Sequence, residues 1–427
     1  TGWSEIRKNR SCTAANQGHR LSREDLLRVN GYDAGSGRFR QVPVQRGDEK
    51  VRGAGFMKRT ILLSPGPATT TDSVKQALVV PDICPREREF STVLQRICRD
   101  LVSVVKGDDA YTAVLFSGSG TAVMDSVISS VVPGNRKVAI LVNGAYGERF
   151  LEIAQSYGIP YEPILFEWGT AIDTNTVEAV LKNDPAISCI AMVHHETTTG
   201  ILNPLDEIGL LAEKYRCTFI VDAISSFAGI PINIRKCRAD FLLSTSNKCI
   251  QGMAGLAFVI CKKSALEQLK NNPKRSYYLD LYSQYINFEK SGQTRFTPPV
   301  QVVYALQQAL AEFFIEGGEN RYARYTGNWR LLRAGLRELG FVLLLPEDLE
   351  SHILVTVMEP DDLKFDFDRM HDYLYERGFT IYPGKIRQKS FRLRILGDLS
   401  PEDIRAFLDA LRAFVRDQEI SLQPVSS

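Results

Sequence analysis

Between about residues 110 and 261 the chain alternates between two hydrophobic periods, and this alternation limits its possible folds more than any other feature. Short apolar, β-rich runs lie at 113–116, 137–142, 189–193, 218–221, 240–243 and 256–261. Helix-length amphipathic stretches at 121–131, 146–157, 174–181 and 206–215 separate several of them. A strand that is apolar along its whole length, rather than at every second residue, must be covered on both faces. Such strands alternating with helices predict an α/β domain with a mainly parallel sheet sandwiched between helices.

The pattern changes after residue 300. Long helical periods at 300–315 and 320–339 lead into strand candidates at 341–345, 353–357 and 391–395, mixed with helices at 367–377 and 401–414. That mixture predicts a smaller α+β domain. The chain of 427 residues is long enough for two domains. We divide it into a large α/β domain over 57–310 and a small C-terminal domain over 311–427. Residues 1–56 differ from both. They hold 8 of the 31 glycines and carry 11 basic against 6 acidic side chains, with one short helical candidate at 23–29. A poorly packed extension of unassigned role is expected there, with Met57 as a natural start of the folded part.

Charge argues against some partners. Lys and Arg together number 52 and Asp and Glu 50, a net +2. That balance creates no field selecting nucleic acid or an anionic membrane, and no apolar run approaches the roughly 18–20 residues that span a bilayer. The eight cysteines include no C-x-x-C pair, and most fall in apolar runs, as expected of reduced, buried thiols in the cytoplasm.

Three strand ends carry candidate chemistry, since ligands of open α/β sheets collect where strands end and helices begin. Phe116-Ser117-Gly118-Ser119-Gly120-Thr121 runs from a strand through a Gly/Ser turn into a helix. Free N–H groups and hydroxyls at such a start either hold a phosphate or simply make a tight turn. Asp222 ends a strongly apolar strand, and either faces a cation or caps the next segment. Lys248 stands just beyond another buried strand, either as a surface lysine or as a desolvated amine able to form a Schiff base. Taken together the three are more specific than any one. A phosphate cradle, a strand-end acid and a strand-end lysine 26 residues later are what pyridoxal 5'-phosphate needs: a hold on its phosphate, a partner for its ring nitrogen and an amine for its aldehyde.

Five segments then carry a family resemblance: Leu63-Ser64-Pro65-Gly66-Pro67, Asn143-Gly144-Ala145-Tyr146-Gly147, Val193 to Gly200 (VHHETTTG), Val221 to Phe227 (VDAISSF) and Ser246 to Gly252 (SNKCIQG). The chain from about 58 to 415 resembles the class V aminotransferases of fold type I. The resemblance implies that Lys248 carries the cofactor aldehyde and shuttles the proton, while Asp222 pairs with the ring nitrogen. It implies that Tyr146 stacks on the ring, that Ser119, Gly120 and Thr121 hold the phosphate, and that Thr198 lies near the phenolic oxygen. Thr297 would reach the phosphate from a neighbouring subunit of a homodimer, placing the active site at the subunit interface. Arg392 would grip a carboxylate or phosphonate, with Ser64 and Gly66 also at the substrate. The implied reaction moves an amino group from 2-aminoethylphosphonate to pyruvate, giving phosphonoacetaldehyde and L-alanine. An alternative is another amino donor, of the alanine–glyoxylate or serine type. From a different class comes a nucleotide-binding α/β protein that uses 117–121 without catalysis.

Other residues are less specific. The family commonly has Phe-Arg-Ile-Gly at the substrate arginine, whereas this chain has Phe391-Arg392-Leu393-Arg394. If the segment is a strand, Arg392 and Arg394 share a face, so Arg394 either joins the anion clamp or points to solvent. His194-His195-Glu196 lacks the second histidine of a zinc-protease helix, so no metal site is expected. The charged run from Pro85 to Glu89 reads as a solvated loop.

Overall fold

The structure is a computed structural model that describes residues 59–422, together with the antiparallel pair Tyr32–Asp33 and Arg38–Phe39. The chain divides into two units, Thr1–Lys58 and Arg59–Ser427. The extension over 1–56, its helical candidate at 23–29, Met57 and Cys12 lie outside the described residues, apart from that strand pair.

A seven-stranded sheet organises the second unit. Its strands are β1 (Tyr111–Ser117), β2 (Lys137–Val142), β3 (Tyr161–Leu165), β4 (Ile187–Val193), β5 (Thr218–Asp222), β6 (Phe241–Thr245) and β7 (Leu256–Lys262). Their spatial order is β1-β7-β6-β5-β4-β2-β3. Only β7 runs antiparallel to its neighbours.

The continuous apolar runs explain this layering. In β5, Phe219 and Val221 point into one hydrophobic core, while Ile220 points into the other. Leu115 and Leu141 join the first core, and Val114 and Ile140 the second. Each such side chain contributes about 1.5–3 kcal/mol on leaving water, so both faces must stay covered. Helices Gly120–Val131 and Ala145–Ser156 cover one face; Arg88–Val104 and Val300–Glu316 cover the other.

A third core gathers Trp329, Leu336, Val355, Phe391, Leu393 and Phe407 with Ile61 and Leu63. It is built on the antiparallel strands β8 (Leu354–Met358), β9 (Tyr382–Pro383) and β10 (Ser390–Arg394). Helix Pro401–Asp417 packs on them, its start fixed by a reciprocal capping box between Ser400 and Asp403.

The predicted elements recur; besides added elements such as the helix Leu281–Ser291, three departures bear on the prediction. Strand β3 escapes the apolar pattern because it is an edge strand with only Ile164 buried; Pro163 is tolerated there. Helix Arg88–Val104 begins inside the charged run. Pro85, Arg86 and Glu87 form the outer turn, but Phe90, Leu94, Ile97 and Leu101 bury a stripe against the sheet. The candidate strand at 341–345 does not form; Leu343 makes a single bridge to Val357. Seven described cysteines are free, six of them buried, and Cys84 is exposed. No helix among the described residues is long and apolar enough to cross a membrane.

Candidate active site

Adjacent parallel strands β5 and β6 end side by side, and this sets Asp222 and Lys248 near one another. Asp222 pairs in register with Leu243, and the chain beyond β6 turns back so that Gly252 N–H donates to the Ser246 carbonyl (2.8 Å). Gln251 N–H closes the turn onto the Lys248 carbonyl (2.8 Å). Arg321 Nη1 donates to the Cys249 carbonyl (3.1 Å), so the lysine loop is held from a second helix.

Lys248 is not a surface lysine. Its amine turns inward and donates to the Pro65 carbonyl. Gly66 has φ +136°, and a Cβ built there would fall 2.8 Å from Lys248 Cε and 2.9 Å from Cδ. Only glycine leaves this gap, and only glycine adopts this backbone comfortably. Burial drives the amine from its ordinary 10.5 down to about 7, and the Arg394 charge pushes in the same direction.

Asp222 is 3% exposed. Its Oδ1 accepts from Ile224 N–H (2.8 Å), so the local capping role is present but uses one oxygen. Burial raises its carboxyl from 3.8 to about 7, against the Ile224 bond. An acid kept at this cost without a hydrogen-bonded cation suits a ligand that brings its own positive nitrogen.

The predicted phosphate cradle is a helix start with no side-chain cap: Ser119 occupies the N-cap of Gly120–Val131 but makes no capping bond. Ala122 N–H turns back onto the Ser119 carbonyl (2.9 Å), and the N–H groups of Gly120 and Thr121 are left for an anion. Arg149 adds a cation, donating through Nη1 to Thr121 Oγ1 (3.2 Å). Thr297 is exposed beside this turn, and its carbonyl accepts from Ser117 Oγ (3.5 Å). The neighbouring helix Ala145–Ser156 differs. Glu196, fully buried, accepts from Tyr146 N–H (3.1 Å) and Gly147 N–H (3.3 Å) through Oε2, and from Thr198 N–H (2.9 Å) through Oε1. Thr198 Oγ1 takes Ala145 N–H (3.0 Å). Glu196 and Thr198 thus fill that helix start and fix Tyr146, whose ring lies under Arg149 at 4.8 Å and Lys385 at 5.0 Å.

Arg392 is 3% exposed, with Nη1 on the Thr197 carbonyl (3.0 Å) and Nε and Nη2 on that of Pro383 (3.3 and 3.2 Å). Neutral carbonyls hold it loosely enough for an anion to displace them. Ser64 is buried in the same 61–67 segment. Arg394 corrects one expectation made for it. It is fully buried, not in solvent, with its guanidinium ends on the Pro65 carbonyl (2.7 Å) and the Ser225 carbonyl (2.6 Å), while its Nε has no partner among the described residues. His194 and His195 bind Ser226 Oγ (2.9 Å) and the Ser225 carbonyl (3.3 Å), and burial lowers His194 to about 4.

Sequence reasoning missed Glu196, Arg149 and Lys385. The signal for Arg149 was available: it follows Tyr146 by three positions on one helix, so the two share a face. A carboxylate three residues beyond the end of the apolar strand Ile187–Val193 was the signal for Glu196.

Comparison with known proteins identifies the family. The family described as aminotransferase class-V matches residues 79–375. The 2-aminoethylphosphonate–pyruvate transaminase of Klebsiella pneumoniae is 44% identical over 355 residues, covering 82% of this chain and 96% of that protein. The Salmonella typhimurium protein of the same name is 43% identical over 358 residues, with the same coverage. Among solved structures, an alanine–glyoxylate aminotransferase from Nostoc sp. superposes with a TM-score of 0.79 at 26% identity, covering 84% of this chain and 96% of that one. The ureidoglycine–glyoxylate aminotransferase of Bacillus subtilis shares the fold, with a TM-score of 0.79 at 23% identity, covering 86% and 95%. The chain belongs to the class V aminotransferase family.

Proposed function

We propose that this enzyme uses pyridoxal 5'-phosphate to move the amino group of 2-aminoethylphosphonate to pyruvate, producing phosphonoacetaldehyde and L-alanine. The observation that carries the cofactor is the gap at Gly66, into which a desolvated Lys248 amine projects, while the buried Asp222 carries no ion pair among the described residues. The donor set fits the group: an uncapped helix start with Arg149 for its phosphate, Tyr146 for its ring face, Asp222 for its ring nitrogen and Lys248 for its aldehyde. When bound, the cofactor supplies an electron sink that lets a proton leave the carbon bearing nitrogen.

The chain's own groups do the rest. Lys248 Nζ, half neutral near pH 7, takes that proton and returns it. Asp222, buried and short of partners, prefers to be ionised only against a protonated nitrogen. Arg392 leaves its carbonyl partners to bind the phosphonate of the donor or the carboxylate of pyruvate, since one planar fork suits both anions. The names of the relatives, together with Arg392, support this substrate pair.

We further propose a homodimer in which Thr297, exposed beside the cradle, reaches the phosphate site of the partner. The free, mostly buried thiols support a cytoplasmic setting. The test is a donor panel with pyruvate as acceptor and alanine as readout, run beside the absorbance of the loaded protein. Alanine formed fastest from 2-aminoethylphosphonate, with a visible band abolished by borohydride, is the expected result. Preference for another donor overturns the substrate assignment; a colourless protein overturns the cofactor assignment.

A further inference from the structure

Arg394 has no role in the scheme above, yet it is fully buried and, among the described residues, pairs with no carboxylate within 4.0 Å. Burying a cation without a counter-charge is strongly unfavourable unless other dipoles solvate it. Here backbone carbonyls do so at Nη1 and Nη2, while Nε has no partner among the described residues. Nη1 donates to the Pro65 carbonyl (2.7 Å) and Ser225 Oγ (3.4 Å), and Nη2 to the Ser225 carbonyl (2.6 Å) and Cys249 Sγ (3.7 Å). Its own backbone N–H donates to the Leu63 carbonyl (2.7 Å). One residue therefore ties together the three segments that surround Lys248. The Pro65 carbonyl is also the acceptor of the Lys248 amine, so a guanidinium and an amine share one oxygen.

We propose that Arg394 is a positioning residue for Lys248: it fixes the Pro65 and Ser225 carbonyls around the lysine and sets a permanent positive charge against the shared Pro65 oxygen, keeping the amine uncharged and aimed across the Gly66 gap. This rests on the reading of Lys248 as the cofactor lysine. Other charges also face that amine. Arg392, on the same strand as Arg394, opposes its protonation; Asp222 on β5 and the Cys249 thiol favour it; His195, on the adjoining hairpin, is neutral because burial holds its pKa low. Asp222 pairs with a ring nitrogen once cofactor is bound, which leaves Arg394 as the constant influence. Lysine at 394 keeps the charge and loses the fork, whereas glutamine keeps hydrogen bonding and loses the charge, so the two variants separate the contributions.

The test uses cofactor-free protein. Lys248 is acetylated with limiting acetic anhydride across a pH series, and its peptide is quantified by mass spectrometry. The parent should reach half-maximal reactivity at about pH 7. In Arg394→Gln the midpoint should rise by about 1–3 units, and in Arg394→Lys it should stay at the parental value. KM for pyruvate should be unchanged in both. A folded Arg394→Gln that titrates like the parent overturns the proposal. So does a parental midpoint near the ordinary 10.5, which needs no variant and decides the matter if Arg394→Gln does not fold. A tenfold rise in KM with an unmoved midpoint also overturns it, by giving Arg394 to the substrate anion. Because no cofactor enters this titration, failure of the protein to form a borohydride-fixed adduct would refute the proposed function separately.

Discussion

Replacing Gly66 by alanine tests whether the lysine gap is the feature on which the site depends. The backbone at φ +136° is nearly closed to residues with a Cβ, which costs about 1–3 kcal/mol. The added methyl also overlaps Lys248 at Nζ, Cε and Cδ, so the lysine must leave the Pro65 carbonyl or the 63–67 segment must move. If half of a mid-range backbone cost, about 1.0 kcal/mol, falls on the lysine, cofactor affinity drops about fivefold. The whole cost falling on the lysine, over its full range, predicts a loss of about 5- to 150-fold. Gly158 provides the control: at φ +61°, with nothing within 4 Å of a built Cβ, Gly158→Ala costs only about 1–2 kcal/mol of left-handed backbone strain. Cofactor titration followed by visible absorbance separates the two, with thermal unfolding of both variants alongside. Gly66→Ala should be destabilised and bind cofactor weakly; Gly158→Ala should be destabilised and bind it normally. Parental cofactor affinity in a folded Gly66→Ala would refute the argument that the gap exists to let the lysine through.

Glu196→Gln should lower stability by about 1–3 kcal/mol in thermal or denaturant unfolding, because an amide NH2 would face backbone donors that a carboxylate now accepts. Arg392→Lys should raise KM for both pyruvate and 2-aminoethylphosphonate, by about 10- to 100-fold, with a smaller change in kcat, since a lysine cannot supply two parallel bonds. Stability of the cofactor-free protein should depend on pH with a minimum near neutrality. Asp222, raised from 3.8 to about 7, stabilises fully below pH 3.8 and loses that contribution as pH rises through about 7. Lys248, lowered from 10.5 to about 7, stabilises above pH 10.5 and loses that contribution as pH falls through about 7. Both contributions are thus absent near pH 7, where added cofactor should raise the unfolding temperature most; an increment that is flat from pH 5 to 9 would contradict the pairing.

The sheet was legible wherever its strands were buried on both faces. Residues 218–221 and 256–261 carry almost no polar side chain, and no other environment accepts such runs. Strand β3 was not legible, because an edge strand buries one residue in five and otherwise reads as loop. The candidate at 341–345 shows the opposite error. Its Phe341 and Leu345 are buried, with the Phe341 ring edge-on to Phe391 of β10, but a single bridge to Val357 is all the strand pairing it forms. Apolar content reported burial correctly while saying little about which backbone partner supplied it.

The site divides along the same line. Lys248, Asp222 and the 117–121 turn were legible because each stands at the end of a recognisable strand, where local pattern and chemistry coincide. Arg394 was not, because its environment is assembled from Pro65, Ser225 and Cys249, which are 329, 169 and 145 residues away. Period-two reasoning placed it on the face of Arg392 and stopped there, unable to say whether that face met substrate, solvent or backbone. The same distance in sequence explains why its role is open to substitution tests. A cation solvated by carbonyls is fixed by the positions of those carbonyls, and two of the three segments that position them also bound Lys248. Changing the charge at 394 therefore acts on the lysine through electrostatics, while changing the shape acts through the backbone. The glutamine and lysine variants separate these because the contacts to Pro65, Ser225 and Cys249 are made by the guanidinium ends, while the backbone bond to Leu63 stays in both.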